Sequence, residues 1–156
     1  MKVVFLDFDG VLNSDKYIKG SEQGGIVINP SRMFFLKEII DETNAKIVLS
    51  TSWREHWDKN PVNCDSTGEE INRIFSEHGL CVFDKIPKLH TRREEEIKLW
   101  LEENPDTENF VVLDDMLLAA DFLTNHIVKT SNYFDGLDQY DVKRAIEILN
   151  GAEGAL

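Results

Sequence analysis

The segment Val3-Val4-Phe5-Leu6 is apolar at every position and breaks at once into Asp7-Phe8-Asp9-Gly10-Val11. A β-strand sends successive side chains to opposite faces, so a run without alternation has no solvent-facing side. Such a run fits the centre of a parallel sheet covered by helices. Gly10 marks where the chain turns away from the strand. Asp7 and Asp9 then stand at its carboxyl edge, where open α/β sheets place their ligands. Alternation sends both aspartates the same way and Phe8 into packing.

The pattern recurs. A largely apolar run over 45–49 ends in Ser50-Thr51-Ser52-Trp53-Arg54, and another over 109–113 ends in Asp114-Asp115. Helical patterns lie between these runs. Asn29 caps a helix with Pro30 at its first position, and Met33, Leu36, Ile39 and Ile40 form its buried stripe to about Glu42. Ile71, Ile74, Phe75 and His78 keep helical spacing up to Gly79, a C-terminal cap, and a short strand over 80–83 follows. Thr91 and Glu94 read as a capping box for a helix that turns Ile97, Trp100 and Leu101 inward and stops at Pro105. A weaker strand over 127–130 leads to a loop ending at Gly136, and Asp138 caps a last helix with Val142, Ala145, Ile146 and Leu149 inward. Residues 13–29, polar and bearing Gly20, Gly24 and Gly25, read as a loop or small hairpin flap. Strands alternating with helices predict a three-layer α/β/α sandwich around a central parallel sheet. Residues 1–156 form one domain in this reading, with no large cap domain.

A chain of 156 residues buries about two-thirds of its unfolded surface and needs no metal merely to fold. Its net charge of −12 opposes loose electrostatic binding to nucleic acid or anionic lipid. A phosphate ligand stays compatible with that charge, because a divalent cation reverses the field inside a carboxylate-lined site. No apolar segment approaches the ~18 residues of a membrane span, and the N-terminus carries no signal-peptide pattern. Cys64 and Cys81 lack CxxC spacing, so free thiols in a cytoplasmic protein without a membrane partner are expected.

If the strand ends share one edge, a single cleft collects Asp7, Asp9, Ser50, Thr51, Asp114 and Asp115, with a cationic group from Arg92, Arg93 or Lys98. Carboxylates that close repel one another and require a cation or shifted pKa values. A donor set of oxygens alone favours Mg²⁺. Trp53 and Arg54 follow the second strand end and have either a substrate-side role, since Arg can grip phosphate bidentately, or that of an ordinary structural pair. The glutamates around Arg92, Arg93 and Lys98 make a solvated helix face with i,i+4 pairs the account for two of those three. Trp57 and Trp100 read as packing aromatics, and the four histidines share no metal spacing.

These motifs, in this order over residues 3–115, resemble those of the haloacid dehalogenase (HAD) superfamily: DxDGV, an apolar strand ending in Ser or Thr, a basic residue opening a helix, and an apolar strand ending in two aspartates. The finer pattern of SxSWR, then Arg93, Glu96, Ile97, Trp100 and Leu101, then VVLDD is similar to the HAD branch of "Swiss Army Knife" RNA-repair proteins. The resemblance implies a Mg²⁺-dependent phosphomonoester hydrolase working through an aspartyl phosphate on Asp7. Asp9 would protonate the leaving group and then activate water. Ser50 or Thr51 would hold the phosphoryl group, and Arg93, where the family commonly has lysine, would neutralise its charge. Asp7, Asp114, Asp115 and the main-chain carbonyl of Asp9 would hold the metal, and Gly136-Leu137 would either position a loop near the site or, in the simpler account, form a plain turn before the last helix. Without a large cap the site suits a large or polymer-linked phosphate, on a nucleic-acid end or a protein. The rival from another class is a phosphoacceptor signalling or phosphate-binding module without turnover. Receiver-like modules place their acidic pair and phosphoacceptor on different strands, unlike the paired aspartates here.

Overall fold

The computed structural model describes residues 1–21, 25–131 and 135–151. Five strands, β1 (Lys2–Leu6), β2 (Lys46–Leu49), β3 (Val82–Lys85), β4 (Asn109–Asp114) and β5 (Ile127–Lys129), form one sheet in the order β3-β2-β1-β4-β5. Every neighbouring pair is parallel. The chain winds outward from β1 through β2 to β3, then crosses back to β4. The crevice between β1 and β4 is therefore the point where strand order reverses, and open α/β sheets bind ligands there.

Both sheet faces are covered. Val4 and Leu6 of β1 pack with α2 (Pro30–Thr43), α3 (Ser66–Glu77) and α5 (Gln139–Leu149), while Val3 and Phe5 pack with α4 (Arg93–Glu103) and the segment around Leu118 and Leu123. The side chains of Val3, Val4, Phe5 and Leu6 are all fully buried, the two-faced burial the unbroken apolar run implies. The Phe5 ring meets Trp100 edge-on at 5.4 Å between centroids. The three-layer α/β/α sandwich is the observed fold, and no cap domain is seen among the described residues.

Local signals set several boundaries. Asn29 caps α2, its Oδ1 accepting from Ser31 N–H at 3.0 Å, with Pro30 next. Asp138 and Asp141 form a reciprocal capping box on α5. Several local features differ from sequence expectation. The third strand starts at Val82 instead of residue 80, because Leu80 N–H still bonds the Phe75 carbonyl of α3 at 2.9 Å around Gly79, whose φ is +70°. Thr91 does not cap α4: Arg92 holds that position without a side-chain cap bond, and Glu94 bonds the Arg92 guanidinium instead. The 13–29 insertion contains a short helix, α1 (Asp15–Lys19), with Ser14 Oγ accepting from Tyr17 N–H at 3.2 Å. Five residues carry no full apolar stripe, so no sequence period announces this helix. Residues 22–24 of the flap, and 132–134 of the loop before Gly136, lie outside the described residues.

Candidate active site

The site begins where β1 ends. Asp7 N–H donates to the Leu113 carbonyl at 3.1 Å, and Ser50 N–H donates to the Leu6 carbonyl at 2.9 Å, so three strand ends are laced at one level. Asp7, Asp114 and Asp115 converge there, each offering an oxygen within 4.8 Å of the others. Asp114 is buried and the other two are half-buried. Burial above all, then the neighbouring Asp114 charge, pushes the Asp7 carboxyl up from 3.8 to about 7, against the opposing pull of Arg93. Burial and Asp114 likewise raise Asp115.

Raised carboxyls mark a site short of positive charge. Three close carboxylates are a donor set that suits a hard divalent cation such as Mg²⁺. A second observation points to a ligand in the same place. Ser50 Oγ is buried and, among the described residues, has no hydrogen-bond partner within the protein. Buried hydroxyls are ordinarily bonded. Thr51, one residue on, is occupied: its Oγ1 accepts from Trp53 N–H at 3.3 Å and caps the 3-10 turn Ser52–His56.

The loop after Asp7 is built to a tight tolerance. Phe8 is fully buried, 5.9 Å from the Phe75 ring. Gly10 has φ +85°, and a Cβ there would lie 2.4 Å from Asp115 Oδ2, so only glycine lets the loop pass this carboxylate. Thr130 Oγ1 donates to the Gly10 carbonyl at 2.6 Å. Leu137 N–H donates to the Val11 carbonyl at 2.9 Å, tying the segment before α5 to the same loop.

Asp9 stands apart from the acidic group. Its carboxylate is exposed and accepts from Asn13 Nδ2–H at 3.0 Å and from Trp53 Nε1–H at 3.1 Å. The four-carboxylate cleft read from the sequence is thus a cluster of three with Asp9 held separately beside it.

The basic candidates divide. Arg93, at the first position of α4, places Nη1 3.8 Å from Asp114 Oδ2 and Nε 3.9 Å from Glu96 Oε1. Arg92 turns outward to Glu94, its side chain 69% exposed. Lys98 lines a surface hollow with Arg92, Ala119, Ala120 and Phe122. Arg54 points inward: its guanidinium donates to the Thr51 and Ile86 carbonyls at 2.9 and 3.2 Å and meets Glu96 Oε1 at 3.1 Å. Burial lowers its pKa against the opposing effect of Glu96. Glu96 is buried too and accepts Leu89 N–H at 2.8 Å. The solvated face expected for Glu94 and Glu96 is corrected, since both lie on the inner side of α4.

Asn13 and Trp53 are the site neighbours whose contacts sequence reasoning did not assign. Asn13 follows Asp9 by four residues in a glycine turn, a usable local signal. Trp53, directly after the second strand end, reads as a site neighbour, but its bond to Asp9, 44 residues away, has no local signal.

A doubly wound parallel sheet with an acidic group at its β1/β4 crevice fits a HAD-like domain. The chain belongs to the family described as the HAD domain in Swiss Army Knife RNA repair proteins, whose model matches residues 3–142. No curated protein and no solved structure matches it. Membership supports a phosphatase-type role in general terms. Among the described residues no helix is long and apolar enough to cross a membrane.

Proposed function

We propose that the protein is a Mg²⁺-dependent phosphomonoester hydrolase acting on phosphorylated nucleic-acid ends. The observation that carries the chemistry is the convergence of Asp7, Asp114 and Asp115 beside the unpartnered Ser50 hydroxyl and the Arg93 guanidinium. The substrate class rests on the RNA-repair family and on the lack of a cap domain among the described residues, which leaves room for a phosphate attached to something large.

Asp7, Asp114 and Asp115 would hold the cation. When bound it would neutralise phosphate charge, allowing a carboxylate to approach a phosphate dianion. Ser50 Oγ donates to a phosphoryl oxygen, and Arg93 adds charge as the transfer proceeds. An Asp7 oxygen forms a bond to phosphorus while the bond to the leaving oxygen breaks, and Asp9 gives that oxygen its proton. Asp9 then takes a proton from water as the water oxygen bonds phosphorus, and the Asp7 carboxylate leaves with phosphate released. Arg54 serves in this reading as the brace between the β2 end and α4, its donors being spent on Glu96 and backbone carbonyls. The net charge of −12 confines nucleic-acid contact to the terminal phosphate and its nearest neighbours.

The test is phosphate release from a panel of phosphomonoesters, including 3′- and 5′-phosphorylated oligonucleotides, with Mg²⁺ or EDTA. Release that needs Mg²⁺, vanishes in Asp7→Asn and is fastest on oligonucleotide ends is expected. Turnover surviving Asp7→Asn would sink the mechanism, and faster release from a phosphopeptide would move the substrate to proteins. A stable beryllium fluoride adduct on Asp7 without any turnover would favour a signalling module, in which the two-sided grip on Asp9 has no use.

A further inference from the structure

Asp9 is exposed, yet each of its oxygens is held. Oδ1 accepts from Asn13 Nδ2–H at 3.0 Å, and Oδ2 accepts from Trp53 Nε1–H at 3.1 Å. The two donors come from different parts of the fold. Asn13 is fully buried and fixed at three points, its Oδ1 accepting Gly10 N–H at 2.8 Å and its Nδ2 also donating to the Val27 carbonyl at 2.7 Å. Trp53 belongs to the 3-10 turn after β2, with its backbone N–H on Thr51 Oγ1 and its ring 5.9 Å from that of His56. One hydrogen bond between exposed groups adds little to stability. What it does here is fix the rotamer of a short side chain at the rim of the site.

We infer that Trp53 is a positioning residue for proton transfer, aiming Asp9 at the leaving oxygen with Asn13 as the fixed second support. The inference rests on the phosphomonoesterase reading above and names the residue that makes poor leaving groups acceptable. As phosphorus passes to Asp7, the bond to the leaving oxygen breaks and the Asp9 proton moves to that oxygen, giving an alcohol and the Asp7 acyl phosphate. Each carboxyl oxygen has a lone-pair site beyond the one its N–H donor occupies, so Asp9 carries the proton with both contacts intact. A misplacement of about 1 Å in such a group can cost on the order of 100-fold.

The consequence depends on the leaving group. An ester whose oxygen departs as a stable anion needs little protonation, whereas a basic leaving oxygen needs it fully. The experiment measures kcat/KM with Mg²⁺ for ring-substituted phenyl phosphates of similar size, from nitrophenyl through phenyl to methylphenyl, in wild type, Trp53→Phe and Trp53→His. Trp53→Phe keeps an aromatic plane and loses the N–H, and is expected to lose about tenfold more on the methylphenyl than on the nitrophenyl ester. Trp53→His, which retains a ring N–H, is expected to recover part of that difference. The slope is a ratio within one preparation, so a partly unfolded variant still reports it. Equal losses across the series, or none, overturn the positioning role while leaving the hydrolase reading intact. Absence of Mg²⁺-dependent turnover of every ester in wild type overturns both.

Discussion

The Arg93 guanidinium stands 3.8 Å from the Asp114 carboxylate, linking the head of α4 on one sheet face to the end of β4. One arginine faces three carboxylates, and burial together with Asp114 outweighs it at Asp7. The crevice therefore has an unmet demand for positive charge, and several measurable properties follow from that imbalance.

The Asp7 carboxyl binds its proton more tightly folded than unfolded. Without metal the fold gains from Asp7 below the ordinary value of 3.8 and loses that gain as pH climbs to about 7. Asp7→Asn is expected to stabilise the metal-free protein at pH 8 by on the order of 2 kcal/mol while abolishing phosphatase activity, with little gain at pH 4. Denaturant melts in EDTA at both pH values check this. A destabilised Asp7→Asn at pH 8 would contradict the crowding.

Mg²⁺ must displace the proton that Asp7 retains below about pH 7. Titration calorimetry is expected to show tighter Mg²⁺ binding at pH 8 than at pH 6, with proton release at the lower pH. Affinity that does not change between the two would place the cation away from Asp7.

Ser50 and Thr51 are expected to separate by function. Ser50→Ala removes an unpartnered buried hydroxyl and should leave stability unchanged or raise it by up to about 1 kcal/mol, while raising KM for the phosphoester. Thr51→Ala removes a cap and should cost about 1 kcal/mol of stability with a smaller kinetic effect. Thermal melts paired with kinetics distinguish the two, and a reversal of the pattern would exchange their roles.

Glu96 is the buried counter-charge of Arg54 and also lies 3.9 Å from Arg93. Glu96→Gln leaves the buried guanidinium without a counter-charge and is expected to destabilise by about 2–4 kcal/mol. In a double-mutant cycle, Arg54→Met with Glu96→Leu should cost less than the sum of the two single changes. Additive costs would show that the pair is not coupled.

Asp141 extends the pH argument to the first turn of α5. Burial above all pushes its carboxyl up to about 6, with the Asp138 N–H opposing and the Asp138 carboxylate adding to the rise, so its contribution falls as pH rises from about 4 to about 6. Asp141→Asn should gain stability over wild type across that interval and hold the gain above it. A gain independent of pH would assign the effect to packing.

Much of the fold was legible because its causes are local. The unbroken run before Asp7, the Asn29-Pro30 start of α2 and the Asp138 cap of α5 are each written within a few residues, as periodicity and capping are. Where two local rules competed, as at Leu80 between helix end and strand, hydrogen bonding across Gly79 decided and the boundary moved.

By itself the sequence determined that Asp7 and the Asp114-Asp115 pair stand at strand ends, since each follows an apolar run whose burial the sheet requires. It could not determine which polar groups those ends leave available, because that depends on contacts between residues far apart in the chain. Arg54 is drawn inward by Glu96, 42 residues on; Trp53 reaches back to Asp9, and Ser50 is left without a partner among the described residues. Tertiary packing alone made those assignments. A side chain's partners are set by which strand ends lie side by side, and parallel crossover topology brings together ends that are distant in sequence.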